Sequence, residues 1–471
     1  MSKRPTILSI YRLLPQTNCG ECGEATCMSF ASKLLERRVK VEDCKPLLKP
    51  EYRERFEKLV ELTTPPIREV VIGVGDRAVK VGGEEVMYRH ELAYHNPTAI
   101  AIDLSDTLTD EEVLRRCRAI EDMRVVRIGE TLTLNLIAIR CASNSPQRFA
   151  EVASLVVKHS GLPIILCSLN PTILQTALKV EHVAKARPLL YAATRENWRA
   201  IADLAKHYEC PVVVYEPHSL STLKSLTTTL TTMGINDIII DPGSQTDGLA
   251  ESLNRMVMLR RAAVKGGDRA VGYPLLAIPA TAWLSSTRSP DECSWREAYM
   301  AAIYITRFAD LIILHTLEPW ALLPILTLRQ SIYSSPRKPV AIEPGLKVFG
   351  EPDEYSPVLI TTNFALTYYT VANDLTSSNT TCYLLILNTE GLSVECAVVG
   401  GKFTAEGVKE LIKSTGIEGR VKHRILIIPQ LAARLKGEIE EAVDWRVIVG
   451  PKDSSEIPGF LAKQWPPKPE E

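Results

Sequence analysis

Between residues 98 and 316 the chain repeats one pattern eight times: a short, continuously apolar run followed by a stretch of helical periodicity. The runs are TAIAIDL (98–104), LNLIAI (134–139), PIILCSL (163–169), PLLYAA (188–193), PVVVYEP (211–217), DIIIDPG (237–243), PLLAIPA (274–280) and LIILHT (311–316). Strands that are apolar on both faces must be covered on both faces, and intervening helices impose parallel crossovers. SPQRFAEVASLVVKHSG and TRENWRAIADLAKHYE are two such helical stretches. The pattern predicts an α/β protein built on a (β/α)8 TIM barrel over 95–345, with an open doubly wound sheet as the alternative.

At 471 residues the chain is too long for one core. After Pro344 the strand pattern starts again. PVLITTN (357–363), CYLLILN (382–388), LSVECAVVG (392–400), RILIIPQ (424–430) and WRVIVGP (445–451) read as strands. FALTYYTVANDL, TAEGVKELIKSTG and LAARLKGEIEEAV read as helices between them, giving a Rossmann-like domain over 346–471. The stretch around Ser335 to Pro357, with prolines at 336, 339, 344, 352 and 357, reads as a connector, and KQWPPKPEE as an extended tail. Ahead of the barrel, EYRERFEKLVELTTPP is a helix stopped by Pro65 and Pro66, and residues 63–94 contain a β-hairpin linker. Its Gly73-Val-Gly75 is a hairpin turn, because a dinucleotide loop needs a third glycine and a following helix.

Residues 1–62 carry the chemistry that is easiest to read. Cys19, Cys22, Cys27 and Cys44 follow the spacing Cys-x2-Cys-x4-Cys-x16-Cys. Three soft ligands on one tight loop, with a fourth returning after a helix-length gap, suit a 4Fe-4S cluster. Gly20 and Gly23 let the backbone close around it. Zinc is the competing reading, but it usually recruits two Cys-x2-Cys knuckles or histidines, and His90 is the first histidine here. The other seven cysteines (117, 141, 167, 210, 293, 382 and 396) are scattered singly at mostly apolar sites, as reduced core thiols are.

At the carboxyl ends of the predicted barrel strands stand Asp103, Asn170, Glu216, Asp241 and His315. They lack metal-ligand spacing and read as structural or docking residues rather than catalytic ones. A formal charge of −1 with no basic run argues against nucleic acid. No apolar run is long enough for a membrane span, and the first residues lack a signal-peptide core, so a cytoplasmic protein is expected. No Gly-x4-Gly-Lys-Ser/Thr phosphate loop is present.

The segments LLPQTNCGECGEATCMSFA, VGGEEVMYRHEL, VLITTNFALTYYTVA and VVGGKFTAEGVKELI resemble the large (gamma) subunits of the corrinoid iron–sulfur protein of the acetyl-CoA decarbonylase/synthase system. The resemblance covers essentially the whole chain. It implies a 4Fe-4S cluster on the four N-terminal cysteines and a corrinoid, a cobalt macrocycle, on the last domain. By resemblance, Thr362, Asn363, Phe364, Thr367 and Tyr368, with Gly401, Lys402, Phe403 and Thr404, fall in segments near the corrinoid. Pro429 and the Gly450-Pro451 turn are further candidates, and Gln430 stands where the family pattern leads us to expect glycine.

The resemblance further implies a carrier whose Co(I) accepts a methyl group from a methyl-tetrahydropterin, held by a methyltransferase or other donor, and passes it to or from the nickel cluster of acetyl-CoA synthase. The 4Fe-4S cluster reactivates Co(II) with electrons from a low-potential donor. A smaller barrel (delta) subunit is the expected heterodimer partner. The last domain has no Asp-x-His-x-x-Gly motif, and His423 is its only histidine, so no protein histidine is expected on the cobalt. Two rival readings remain at this point: an iron–sulfur electron-transfer subunit without corrinoid, and a self-contained barrel methyltransferase binding pterin at Asp103, Asn170 and Asp241.

Overall fold

The computed structural model describes residues 5–88, 91, 94–128, 130–244, 248–284, 287–333 and 340–466. Outside them lie Arg89, His90 and Leu92, the connector's Ser335, Pro336 and Pro339, and the tail after Pro466. The chain forms two compact units: Met1–Arg124 with Thr133–Tyr333, and Val125–Leu132 with Ser334–Glu471.

The first unit begins with the helices Ile7–Tyr11, Cys27–Leu35 and Arg53–Thr63. Their core holds Ile10, Leu14, Phe30, Leu34, Leu47 and Leu59. An antiparallel hairpin follows, β1 (Glu69–Ile72) with β2 (Val79–Gly82). Gly82 turns at φ +78°, where a Cβ would lie 2.4 Å from the Arg68 carbonyl oxygen. The barrel strands are β3 (Ala99–Ser105), then, after a short ribbon of β4 (Arg124–Arg127) and β5 (Glu130–Thr133) whose residues 125–132 count with the second unit, β6 (Leu136–Arg140), β7 (Ile164–Cys167), β8 (Leu189–Ala193), β9 (Val212–Tyr215), β10 (Ile238–Asp241), β11 (Leu276–Ala277) and β12 (Leu311–Leu314).

All eight expected runs are strands. Each is parallel to its neighbour in sequence, and β12 pairs with β3. Ile240 bridges to Leu275 and its N–H donates to the Pro274 carbonyl at 2.8 Å, closing β10 onto the β11 segment. The sheet is therefore a closed barrel and not the open alternative. Alternate residues fill its interior, among them Ala101, Ala138, Ile165, Val213 and Ile239. Val70, Ile72 and Val81 of the hairpin join that same cluster. The expected linker is thus part of the barrel core. Arg37 ties the cysteine-bearing segment to it by donating to the Gly83 carbonyl at 2.6 Å and pairing with Glu85 at 2.5 Å.

The second unit is a five-stranded sheet in the order β13-β15-β14-β16-β17, formed by β13 (Gly345–Phe349), β14 (Val358–Thr362), β15 (Cys382–Leu387), β16 (Ile425–Ile428) and β17 (Arg446–Val449). Only β13 is antiparallel. Val358 and Ile360 point into one apolar layer and Leu359 into the other, so helices cover both faces. One expectation is corrected here. LSVECAVVG is not a strand: Ser393 precedes the helix Val394–Val399, which buries Val394, Ala397 and Val398 at helical spacing. The expected connector contains β13, which pairs with β15. Among the described residues, no helix is long and apolar enough to cross a membrane.

Candidate cofactor sites

The cysteine loop is shaped by its backbone. Gln16, Asn18, Gly20 and Gly23 all take left-handed φ values of 60°, 48°, 73° and 81°, curling the chain tightly. Asn18 Oδ1 accepts from the Cys27 N–H at 2.8 Å and pins the far end of the curl. Thr26 caps the helix Cys27–Leu35 by accepting from the Ser29 N–H at 3.1 Å. Cys27 is therefore the first residue of that helix. Cys44 returns after a 3₁₀ turn at Val41–Asp43.

All four cysteines line one small hollow, together with Thr17, Phe30 and Pro46. Cys19 is exposed, Cys22 half-buried, and Cys27 and Cys44 buried, all as free thiols. Burial raises the Cys44 thiol, the Leu47 N–H partly offsets this, and Cys22, Cys27 and Cys19 push it further up. Among the described residues, no three His, Cys, Asp or Glu side chains converge on a position for one metal ion. The four donors around a hollow fit an iron–sulfur cluster, which reaches its thiolates across a wider span than one zinc ion does.

In the second unit, the chain leaves β14 toward β15 on one side and leaves β16 toward β17 on the other. The crevice outside the carboxyl ends of β14 and β16 is the switch point where such sheets bind ligands. A cleft of about 450 Å³ opens there, lined by Thr361, Thr367, Thr370, Ser393, Pro429 and Gly450 among others. A Cβ on Gly450 would lie 3.0 Å from Ile427 Cγ2, so a side chain there would crowd the wall. Leu366 and Leu431, also cleft residues, are 57% and 39% exposed and give the cleft an apolar rim. The buried Thr362 Oγ1 has no hydrogen-bond partner among the described residues. Hydroxyl groups in an apolar hollow suit a large ring that carries amide arms, so these residues fit a corrinoid.

The nine residues singled out from the sequence spread over several environments. Thr367 lines the cleft. Phe364 precedes the helix Ala365–Ser377, and Tyr368 on that helix stacks edge-on against Tyr369 at 5.0 Å. Asn363 is structural: its Oδ1 accepts from Thr389 N at 2.9 Å, Thr389 Oγ1 at 3.0 Å and Gly391 N at 3.0 Å, shaping the loop after β15. Phe403 is a core side chain, 1% exposed. Thr404 caps the helix Ala405–Thr415, Lys402 pairs with Glu390 at 2.6 Å, and Gly401 sits at φ +66°. Pro429 and the Gly450-Pro451 turn line the cleft. Sequence reasoning missed Leu366, Thr370, Ser393 and Leu431. The available signal was an exposed-face leucine beside a threonine ladder at 366, 367 and 370. His423 lies just before β16, at the sheet end opposite the cleft; its Nε2 is 2.9 Å from the Ser356 carbonyl, and its ring packs on Trp465.

The barrel mouth satisfies its own charges. Asp103 meets His315 Nδ1, Arg140 at 3.1 Å and Arg116 at 3.5 Å. Although burial opposes it, these partners hold its carboxyl below the usual range. Glu216 pairs with Arg195 at 2.5 Å and accepts from the His218 and Ser219 N–H groups. Burial raises Asp241 to about 6, against hydrogen bonds from Gly243 N and the Tyr191 hydroxyl. Asn170 caps the helix Pro171–Leu178. Of the five, the side chains of Asp103 and His315 meet, and the Glu216 N–H donates to the Asp241 carbonyl at 3.2 Å. Among the scattered cysteines, burial pushes the thiol of Cys117 to about 11 and those of Cys167, Cys210 and Cys382 to about 12. Cys396 is the exposed exception.

Comparison with known proteins covers the whole chain. The family model described as "CO dehydrogenase/acetyl-CoA synthase delta subunit" matches residues 69–461, and an Fe-S cluster model matches residues 14–46. The acetyl-CoA decarbonylase/synthase complex subunit gamma of Archaeoglobus fulgidus is 47% identical over 468 residues, 98% of either chain. Subunit gamma 2 of Methanosarcina thermophila is 46% identical over 466 residues, 98% of this chain and 99% of that one. The Methanocaldococcus jannaschii gamma subunit is 40% identical over 479 residues, 99% of this chain and 97% of that one. Among solved structures, dihydropteroate synthase from Thermus thermophilus aligns at TM-score 0.39 and 16% identity, covering 56% of this chain and 100% of that one.

Proposed function

Since the chain belongs to the family of acetyl-CoA decarbonylase/synthase complex gamma subunits, we propose that it is a corrinoid methyl carrier, working between a methyl-tetrahydropterin donor and the nickel cluster of acetyl-CoA synthase. When bound, the corrinoid supplies a nucleophilic cobalt for methyl transfer, and a 4Fe-4S cluster supplies the electron that keeps that cobalt reduced. One observation carries this reading: the apolar-rimmed cleft at the switch point of the second unit. The electron-transfer alternative gives that cleft no role.

Each part of the chain has its own task. Thr361, Thr367, Thr370 and Ser393 offer hydroxyls to amide arms, while Leu366 and Leu431 shed water from the ring. His423 is held at the opposite end of β16 from the cleft, so it would not be within reach of a corrinoid held there. Cys19, Cys22, Cys27 and Cys44 would hold the cluster, and Cys19, the exposed one of the four, would face an approaching low-potential electron donor. The self-neutralised barrel mouth leaves the barrel as scaffold and docking surface, paired with a smaller delta subunit in the cytoplasm.

Titration of corrinoid-free protein with hydroxocobalamin, followed by absorbance, tests the assignment. We expect saturation at one equivalent, and weakening by about tenfold or more in Leu366→Glu/Leu431→Glu. Wild-type protein that leaves the corrinoid spectrum unchanged would return the case to the electron-transfer reading.

A further inference from the structure

At the end of the barrel opposite its mouth, where Asp310 leads into β12 and Glu84 follows β2, lies a cavity of about 170 Å³. Residues at this face of a barrel ordinarily serve stability, and a stable interior pairs its polar atoms. Here two polar atoms stay unpaired. Glu84, 4% exposed, accepts from the His95 N–H at 3.2 Å through Oε1, while its Oε2 has no partner among the described residues. Arg260, 2% exposed, donates from Nη2 to Asp310 at 2.6 Å and to the Phe308 carbonyl at 2.8 Å, while its Nε has none either. Both side chains line the cavity.

The charges in this wall do not balance. Glu84 and Asp310 stand against Arg260 alone, and Asp310 already holds Arg260. A water molecule could bond either orphan atom, but it would leave one negative charge in excess. The rest of the wall suits a cation. Tyr94 and Tyr333 line the cavity with ring centroids 5.6 Å apart. Their hydroxyls are engaged, Tyr94 by the Met87 carbonyl at 3.1 Å and Tyr333 by Thr98 Oγ1 at 3.0 Å, so the rings are what they offer. Aromatic faces beside a carboxylate stabilise a desolvated ammonium, whereas a metal ion would want a shell of oxygens. Size sets the other limit. A cavity of about 150 Å³ admits benzene, so an occupant here has few heavy atoms. Thr306, exposed in the wall, marks the way in.

We infer that this cavity binds a small amino alcohol, its ammonium donating to Glu84 Oε2 and its oxygen accepting from Arg260 Nε. Such a molecule satisfies both orphan atoms and supplies the missing charge. It also competes with a proton. Burial and Asp310 push Glu84 up to about 8, while Arg260, the His95 N–H and Arg37 pull the other way. Tyr94 and Tyr333 are its remaining titratable neighbours. The ammonium must displace that proton, so affinity falls about tenfold for each pH unit below 8.

Calorimetry on the full chain, with ethanolamine as the probe, tests this. We expect about one saturable site per chain at pH 8, weakening toward pH 6 as stated, with buffer-dependent heats that report proton release. Glu84→Gln should abolish binding and leave iron and cobalt content unchanged. Thr306→Trp, at the exposed wall, should weaken binding about tenfold or more, and it carries the test should Glu84→Gln misfold. Absence of saturable heat in wild type, an affinity that ignores pH, or binding retained by a folded Glu84→Gln chain overturns the inference. Acetamide binding as tightly as ethanolamine overturns it in favour of a neutral ligand. Potassium displacing ethanolamine at equal concentration overturns it in favour of an inorganic cation.

Discussion

The cysteine loop and the C-terminal cleft are built by opposite means. At the loop, four residues of one type lie within 26 positions, and backbone conformation at Gln16, Asn18, Gly20 and Gly23 does the shaping. At the cleft, five or more segments each contribute a few ordinary residues at strand ends, and topology does the shaping. A site made of ligands depends on individual side chains. A site made of shape depends on how the sheet is wound.

The largest expected effect separates the two directly. Cys22→Ala should lose nearly all cluster iron and abolish reductive recovery of Co(II), while corrinoid binding stays normal; iron and cobalt assays on one sample check both. Next, Leu366→Glu/Leu431→Glu should lower corrinoid affinity by about tenfold to 100-fold through lost apolar contact, with iron content unchanged. If either substitution removed both metals, the two sites would not be independent.

A third contrast concerns pH. Among the described residues, the carboxyls raised by burial (Glu84, Asp241, Glu297 and Asp310) all belong to the first unit. Glu84 is pushed up to about 8 by burial and the nearby Asp310. Above its unfolded value near 4.5, the folded chain keeps a proton that the unfolded chain has released. Its contribution is therefore complete below that value and is lost as pH rises through about 8. The loss is on the order of 3–5 kcal/mol for a group this buried. Thermal melts at pH 5.5 and 8.5 should show the first unit losing more than the second, with Glu84→Gln shrinking the difference. The smallest effect is expected at Asn18→Ala. Loss of its bond to the Cys27 N–H should cost about 1 kcal/mol and speed iron release to a chelator a few-fold.

The same contrast governs what could be read from sequence. The barrel was legible because burial on both faces leaves an unbroken apolar run, as at LNLIAI and PVVVYEP. The cysteine cluster was legible because four residues of a rare type at a tight spacing stand out of the surrounding sequence. LSVECAVVG misled because a short apolar run satisfies strand and helix patterns alike, and only the burial of Val394, Ala397 and Val398 decides between them. β13 was hidden among prolines, since an edge strand needs little apolar continuity. The cleft was partly legible. Thr367, Pro429 and Gly450 were found at strand ends or by resemblance, whereas Phe403 and Asn363, in equally suggestive segments, turn out to serve the core and a loop. Motif position shows which segment lies near a ligand, but side-chain direction comes only from packing.

The most direct measurement is quantification of iron, cobalt and the corrin absorbance band in protein purified anaerobically with its small subunit. Two built sites predict about four iron and about one cobalt per chain, with cobalt surviving in Cys22→Ala. Iron at that level with no cobalt, even after incubation with a corrinoid, would contradict the carrier and leave only the electron-transfer half of the account.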